Sequence, residues 1–205
     1  MHTKLHEDLF PYLDFDEKLM METLKHPLVF AIPYAKELNE HYNKQYIFKR
    51  DRIKEDIQCN NWFRAMALYE KPYRVNFIDQ YKEKIQDYIY WPLLKDAWLS
   101  CEYPYQTKHI WSRLFHVKSD YNRLFMNSED RKIFANLPDK VKVHRGYKTK
   151  EYKEGFSYSL SYEVAAFFAD RFGVRGYVDT KVVDKKEIFA YTNERSEQEI
   201  IILGN

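Results

Sequence analysis

The sequence predicts an α+β protein: a helical, aromatic-rich region over 1–137, then a compact mixed β-sheet domain with one helix over 138–205. Three observations carry this. All five glycines of the 205 residues fall late, at Gly146, Gly155, Gly173, Gly176 and Gly204. The last of seven prolines is Pro138, and the four tryptophans, Trp62, Trp91, Trp98 and Trp111, all precede it. After Pro138-Asp139 the apolar spacing changes from a helical period near 3.6 to strand-like alternation.

In the first region Phe15–Lys25 places Leu19, Met20 and Leu24 at helical intervals, which predicts a short helix. Pro33 suits a helix start, and the stretch Tyr34–Ile57 continues without a breaker. Asn61 can cap Trp62–Glu70, and Tyr73–Tyr90 repeats apolar positions at Val75, Phe77, Ile78, Tyr81 and Ile85. Pro92 opens Leu93–Cys101, Gln106–Phe115 follows, and Ser128 is placed to cap Glu129–Leu137. Beyond residue 138, Val141–Arg145 alternates as a strand until Gly146 interrupts it. Ser157–Ser159 is a short strand, and Ser161 caps the helix Tyr162–Phe172, which Gly173 stops. Strands are expected over Tyr177–Val183, Glu187–Tyr191 and Gln198–Leu203, the last nearly all apolar, as for a strand covered on both faces.

Composition removes several chemistries. No GxGxxG or GxxxxGK(S/T) loop exists, nor HExxH nor GxSxG. Two cysteines, Cys59 and Cys101, cannot form a disulfide framework or a four-cysteine zinc site, and no metal is expected. The seventh and last histidine is His144, so residues beyond it offer no histidine as base or ligand. The first residues carry acids without an apolar run, and nowhere do about 18 apolar residues follow one another. The expectation is a cytoplasmic protein with no membrane partner. A net charge of +2, split evenly about residue 140, does not announce a nucleic-acid partner. The local argument for one is Lys44, Lys49, Arg50, Arg52 and Lys54 interleaved with Tyr46 and Phe48, a mixture that contacts phosphates and stacks on bases. The plainer reading is a helix with a charged solvent face, since Asp51 and Glu55 dilute the patch.

Chemistry concentrates in the last part of the chain. Val143-His144-Arg145-Gly146 ends a strand on an arginine. Gly155-Phe156-Ser157-Tyr158-Ser159 leads into a helix with a small-plus-aromatic face. Glu197-Gln198-Glu199 leads into Ile200-Ile201-Ile202, with two carboxylates two residues apart. In this order the three blocks resemble the mono-ADP-ribosyltransferases of the Arg-Ser-Glu class, with phage, prophage and bacterial toxin members nearest. The resemblance covers about 65 residues. It departs where Tyr158 replaces the usual central threonine, and where His144 beside Arg145 raises the His-Tyr-Glu class, which Arg145 directly before Gly146 disfavours.

The resemblance implies an enzyme with NAD as its substrate. Arg145 would clamp the pyrophosphate through its fixed fork of donors. Glu199 would accept a hydrogen bond from the ribose hydroxyl and stabilise positive charge as the nicotinamide bond breaks. Ser157 would hold Glu199 or the ribose, with Ser159 as a second candidate, and Glu197 would orient or deprotonate the acceptor. Phe172 and Arg175, flanking Gly173, would stack on and contact NAD. Glutamate at 197 resembles the arginine-modifying branch and implies a protein arginine as acceptor, in phage–host conflict or as a toxin. The alternatives are an RNA or DNA base as acceptor, with an antitoxin as further partner, an NAD glycohydrolase, or a non-catalytic binding module.

Overall fold

The computed structural model describes residues 3–102, 104–117, 119–171, 173 and 175–203. The chain divides into two compact units, 1–85 and 86–205.

The first unit does not open with the expected helix. Leu13–Asp16 (β1), Met21–His26 (β2) and Val29–Ala31 (β3) form an antiparallel three-stranded meander. The reason lies in Asp16. Its carboxylate accepts the amides of Lys18 and Leu19 and pairs with Lys25 across the strands, closing a turn in which Met20 takes φ +52°. The helical spacing of Leu19 and Met20 therefore carries no packing. Met20 is 74% exposed, and of that stripe only Leu24 is buried. Then follow Asn39–Gln58 (α1), Trp62–Ala67 (α2) and Arg74–Tyr81 (α3). The expected helix over Tyr73–Tyr90 breaks after Tyr81, because Gln86 is extended and starts a new helix. Tyr46, Ile53, Trp62, Met66, Phe77 and Ile78 fill this unit's core.

The second unit comprises Asp87–Ser100 (α4), Lys108–Phe115 (α5), Ser128–Ala135 (α6), Lys140–Tyr147 (β4), Ser157–Ser159 (β5), Tyr162–Asp170 (α7), Tyr177–Asp184 (β6), Ile188–Thr192 (β7) and Glu199–Ile202 (β8). Pro92 lies inside α4 rather than opening a helix, and α6 is capped by Asn127, whose side chain accepts the Asp130 amide, instead of by Ser128. Ser161 caps α7 as expected. The five strands run in the order β6-β4-β5-β8-β7, and every pairing is antiparallel rather than mixed. β8 is buried along its whole length.

The change at Pro138 is one of secondary structure and not of compact unit. Trp98 meets Trp111 edge-on at 5.0 Å, Trp111 stacks on Phe115, and Phe115 reaches Phe125, Phe156 and Phe189. Rings from α4 and α5 thus share one core with the sheet, and burial of such large side chains dominates core energetics. The division expected at 137/138 is replaced by one at 85/86, so three of the helices belong with the sheet.

A titratable group sits in the first unit's core. His26 Nδ1 accepts the Leu28 amide at 3.0 Å, and its ring meets Tyr12 and Tyr46 edge-on. An imidazole that accepts at Nδ1 must be neutral. Burial pushes its pKa down from 6.5 to about 4, against the opposing pull of Asp8. Above pH 6.5 neither folded nor unfolded His26 is charged. Below it the unfolded chain takes up a proton that the folded chain refuses, so stability falls until about pH 4. Urea unfolding of the wild type should weaken by about 2 kcal/mol from pH 7 to pH 5 relative to His26→Asn. A difference between the two proteins that is the same at both pH values contradicts this assignment.

Candidate active site

The sheet order makes neighbours of residues far apart in the chain. His144 on β4 opposes Ser159 on β5, Ser159 opposes Glu199 on β8, and Glu199 opposes Thr192 on β7. Directly opposed residues share a face, and Ser157, two residues before Ser159, lies on that face too. Arg145 is one residue on from His144 and starts on the other face, beside Tyr158, whose ring its guanidinium carbon approaches to 5.8 Å.

Glu199 is the centre of the arrangement. It is only 2% exposed. Its Oε1 accepts the Ser157 hydroxyl at 2.5 Å, while Oε2 accepts the Trp98 indole N–H and Arg195 Nη2, each at 3.1 Å. A carboxylate offers about four acceptor sites, so three donors leave room for one more. Glu197 stands on the same guanidinium, with Oε2 at 2.9 Å from Arg195 Nη2. Burial raises the Glu197 pKa above the ordinary 4.5, and the charge on Glu199 adds to this while Arg195 opposes it.

The segment 193–198 that presents the two glutamates is fastened at several points. Ser196 and Gln198 adopt φ of +59° and +46°, a backbone conformation that side chains disfavour. Asn193 holds this shape by accepting the Gln198 amide on its side chain and the Ser196 amide on its carbonyl. Ser159 is engaged here rather than free for a ligand, because it donates to the Glu197 carbonyl at 2.7 Å and accepts the Ser161 amide. Beneath the segment, the buried Lys95 ammonium bridges Asp130 at 2.9 Å and Glu194 at 2.6 Å. Asp130 also accepts the Asn193 amide, and Asn127 donates to Glu194.

Arg145 is placed differently from the expected clamp. Nε donates to the carbonyls of Tyr152 and Lys153, Nη2 to Tyr152, and Nη1 to Ser157 at 2.6 Å. A Cβ at Gly155 would overlap this guanidinium, which explains glycine there. In this geometry Arg145 ties the β4–β5 connection to β5 and so fixes where Ser157 stands. His144 shares the face of Glu199, but its ring is held by Thr180 Oγ1 at 2.8 Å and by the edge of Tyr162.

Phe172 lies outside the described residues. Arg175 is exposed and lines a cleft of about 530 Å³ with Tyr162, Asp170, Gly176 and Tyr177. The α1 cations are largely matched to acids: Lys44 to Glu40, Lys49 to Glu70, Arg50 and Lys54 to Asp51, and Arg52 to Glu55. This is the plain charged helix face.

Three residues of the site are absent from the sequence reading, and two of them leave no signal there. Trp98 lies about a hundred positions from Glu199, with no local signal. Lys95 reads as one more charge on a helix. Arg195 was visible, since Arg195, Glu197 and Glu199 stand two apart. No protein-family model, curated protein or solved structure matches the chain.

The sheet and α7 meet at a glycine. A Cβ on Gly146 would collide with the carbonyl oxygen of Ala165 and lie 2.7 Å from the Ala169 amide nitrogen. Both are helix backbone and cannot rotate away. Gly146→Ala should therefore destabilise the chain by about 1–3 kcal/mol, read as a lower denaturation midpoint. An unchanged midpoint contradicts this packing.

Proposed function

We propose that the chain is a mono-ADP-ribosyltransferase that moves ADP-ribose from NAD to a macromolecular acceptor, a protein arginine foremost. The observation that carries this reading is the buried Glu199 carboxylate, held by Ser157 from the adjoining strand with Glu197 beside it on one guanidinium. Structural ion pairs also bury carboxylates. They do not by themselves call for a serine from a neighbouring strand and a second acid two residues away on a strained turn.

The chemistry follows from charge. Breaking the bond between nicotinamide and ribose builds positive charge on the sugar, as in glycoside hydrolysis. A fixed carboxylate in a water-poor site stabilises that charge without reorganising. Glu199 has this character, and its remaining acceptor site suits a ribose hydroxyl. Glu197, with a raised pKa, suits the removal of a proton from an acceptor guanidinium. On this reading Ser157, Ser159 and Arg145 act by positioning: Ser157 aims Glu199, Ser159 holds the backbone of Glu197, and Arg145 holds β5. The exposed Arg175 in its cleft is the freer guanidinium for a phosphate. A nucleic-acid base remains the second reading, though the matched charges along α1 lend it no support. No described helix is long and apolar enough to cross a membrane.

The test uses labelled NAD in a cell lysate with the wild type and two variants, followed by protease or nuclease. Glu199→Gln should lower nicotinamide release by about 10²–10³-fold. Label removed by protease and not by nuclease supports a protein acceptor; the reverse sinks the arginine reading, and free ADP-ribose alone indicates a glycohydrolase. Glu197→Gln should lower transfer by about 10²–10⁴-fold while NAD hydrolysis continues.

The pH dependence has a definite sign. Because the Glu197 pKa is raised, its carboxylate form is lost as pH falls, and is lost sooner than for an ordinary glutamate at 4.5. Transfer to a free guanidine acceptor should therefore decline on the acid side with a midpoint above 4.5. A profile flat down to pH 4.5 removes Glu197 as the base.

A further inference from the structure

The sheet face turned away from Glu199 presents exposed groups that the proposed reaction does not use. β6 is the edge strand beside β4, and its register sets Tyr177 opposite Tyr147, Asp179 opposite Arg145 and Lys181 opposite Val143. Alternation puts these six residues on one face, the one that Glu199 does not share. The Tyr147 and Tyr177 rings stack at 5.6 Å with 23° between their planes, and Tyr177 is 51% exposed. Lys181 is exposed too. Its ammonium donates to the Tyr158 hydroxyl at 3.0 Å and lies 4.2 Å from the centre of that ring. Lys153 reaches Asp179 at 3.3 Å. Charge is also uneven along the chain: residues 140–153 hold five Lys and one Arg against a single acid, Glu151, although the whole protein is only +2. Lys140 and Lys142 belong to the opposite face, whereas Lys148, Lys150 and Lys153 follow directly on Tyr147, with the exposed ring of Tyr152 among them.

We propose that this face is a docking surface for single-stranded nucleic acid: bases stack on the Tyr147–Tyr177 pair, and phosphates lie along Lys148, Lys150, Lys153 and Lys181. Aromatic rings beside a cationic track are the combination that holds a single strand without reading its sequence. Arg145 takes no phosphate here, because its fork is on the carbonyls of Tyr152, Lys153 and Ser157. The bound strand lies on the face opposite Glu199, so it is a docking partner and not the acceptor of the proposed reaction. The surface does not depend on the transferase reading.

The rings decide between this partner and others. Lysine on an edge strand also guards against pairing with another chain, but that role calls for no stacked tyrosines with a half-exposed ring. Lysines alone would suit an acidic peptide equally well; a flat ring face is what a base can use and a carboxylate cannot. A duplex keeps its base faces stacked inside, so the rings select a single strand. The acids differ as well from those of α1. There Lys44, Lys49, Arg50, Arg52 and Lys54 each face a carboxylate, whereas Lys181 is held by a tyrosine.

The test measures fluorescence anisotropy of labelled oligo-dT and oligo-U, each of about 12 nucleotides, and of a DNA duplex of the same length, with the full chain and no NAD. Salt runs from about 50 to 200 mM. The expected result is binding of both single strands, tighter than of the duplex and weakening as salt rises. Tyr177→Ala should weaken it by about 5–150-fold, and Tyr177→Phe should keep it, because the ring face remains. Lys181→Gln should lower the slope of log affinity against log salt by about 0.7, the share of one phosphate contact. Lys44→Gln on α1 should change neither. A duplex or a poly-glutamate peptide bound as tightly as the single strands overturns the inference. So does binding that Tyr177→Ala leaves intact, binding lost equally in Tyr177→Phe, or no binding at the lowest salt. None of these outcomes touches the transferase reading, which is decided by nicotinamide release.

Discussion

The second unit is organised around one constraint: a carboxylate at Glu199 buried to 2% exposure. An unpaired buried charge costs several kcal/mol, and such groups persist only when paired and hydrogen-bonded. Here the requirement is met from three directions. Ser157 comes from the neighbouring strand, Trp98 from a helix, and Arg195 from the turn four residues earlier. Each donor needs its own element in place, so the strand order, the seating of α4 and the shape of segment 193–198 are linked through a single side chain. The contrast within the aromatic cluster makes the same point. Trp91 and Trp111 are as deeply buried as Trp98, yet their indole nitrogens find no partner among the described residues. Trp98 is the ring whose polar edge is used.

A second buried ion cluster stands behind the first. Lys95, Asp130 and Glu194 fix the start of the turn that ends at Glu199, with Asn127 and the Asn193 amide completing the set. Removing one member of such a buried cluster leaves the others uncompensated, so these groups specify a geometry more than they add stability. What they specify is the path from Thr192 to Glu199, including two residues at positive φ. Helices α4 and α6 thus supply contacts that hold the candidate site in shape, although none of their residues reads as site chemistry in the sequence.

The sheet region was largely legible, because its determinants are local. Alternation around Val143, the Ser161 cap and the apolar run at Ile200–Ile202 each act within a few residues, and the strands and α7 form close to where these place them. The exception is β4, which is not interrupted at Gly146 and runs on to Tyr147, its ladder with β6 continuing through the glycine. The start of the chain was misread for a related reason. Leu19 and Met20 have helical spacing, but the Asp16 turn sets the local backbone and no core lies beneath them. The site was legible in part. Ser157 and Glu199 do meet, because β5 pairs with β8 and Ser157 shares the face of Ser159, which opposes Glu199. Arg145 was assigned a free fork, yet alternation already puts it on the other face, where the carbonyls of Tyr152, Lys153 and Ser157 occupy it. Trp98 and Lys95 act through packing of distant segments, which no spacing rule encodes.

Arg195 also bears on which acceptors the proposed site could take. Two carboxylates close together in a half-buried site repel each other, and the guanidinium between them offsets that repulsion. Were an incoming acceptor to displace Arg195 from these two contacts, its own charge would decide the cost. If the incoming group is another guanidinium, one positive charge replaces another and both carboxylates remain paired. If it is a neutral nucleic-acid base, Glu197 and Glu199 lose their counter-charge, and leaving a buried charge unpaired costs on the order of 3–5 kcal/mol. That difference corresponds to roughly two to four orders of magnitude in occupancy at equal contact elsewhere. On the proposed reading, the electrostatics of the pair would favour a cationic acceptor, because the place between the glutamates already holds a guanidinium.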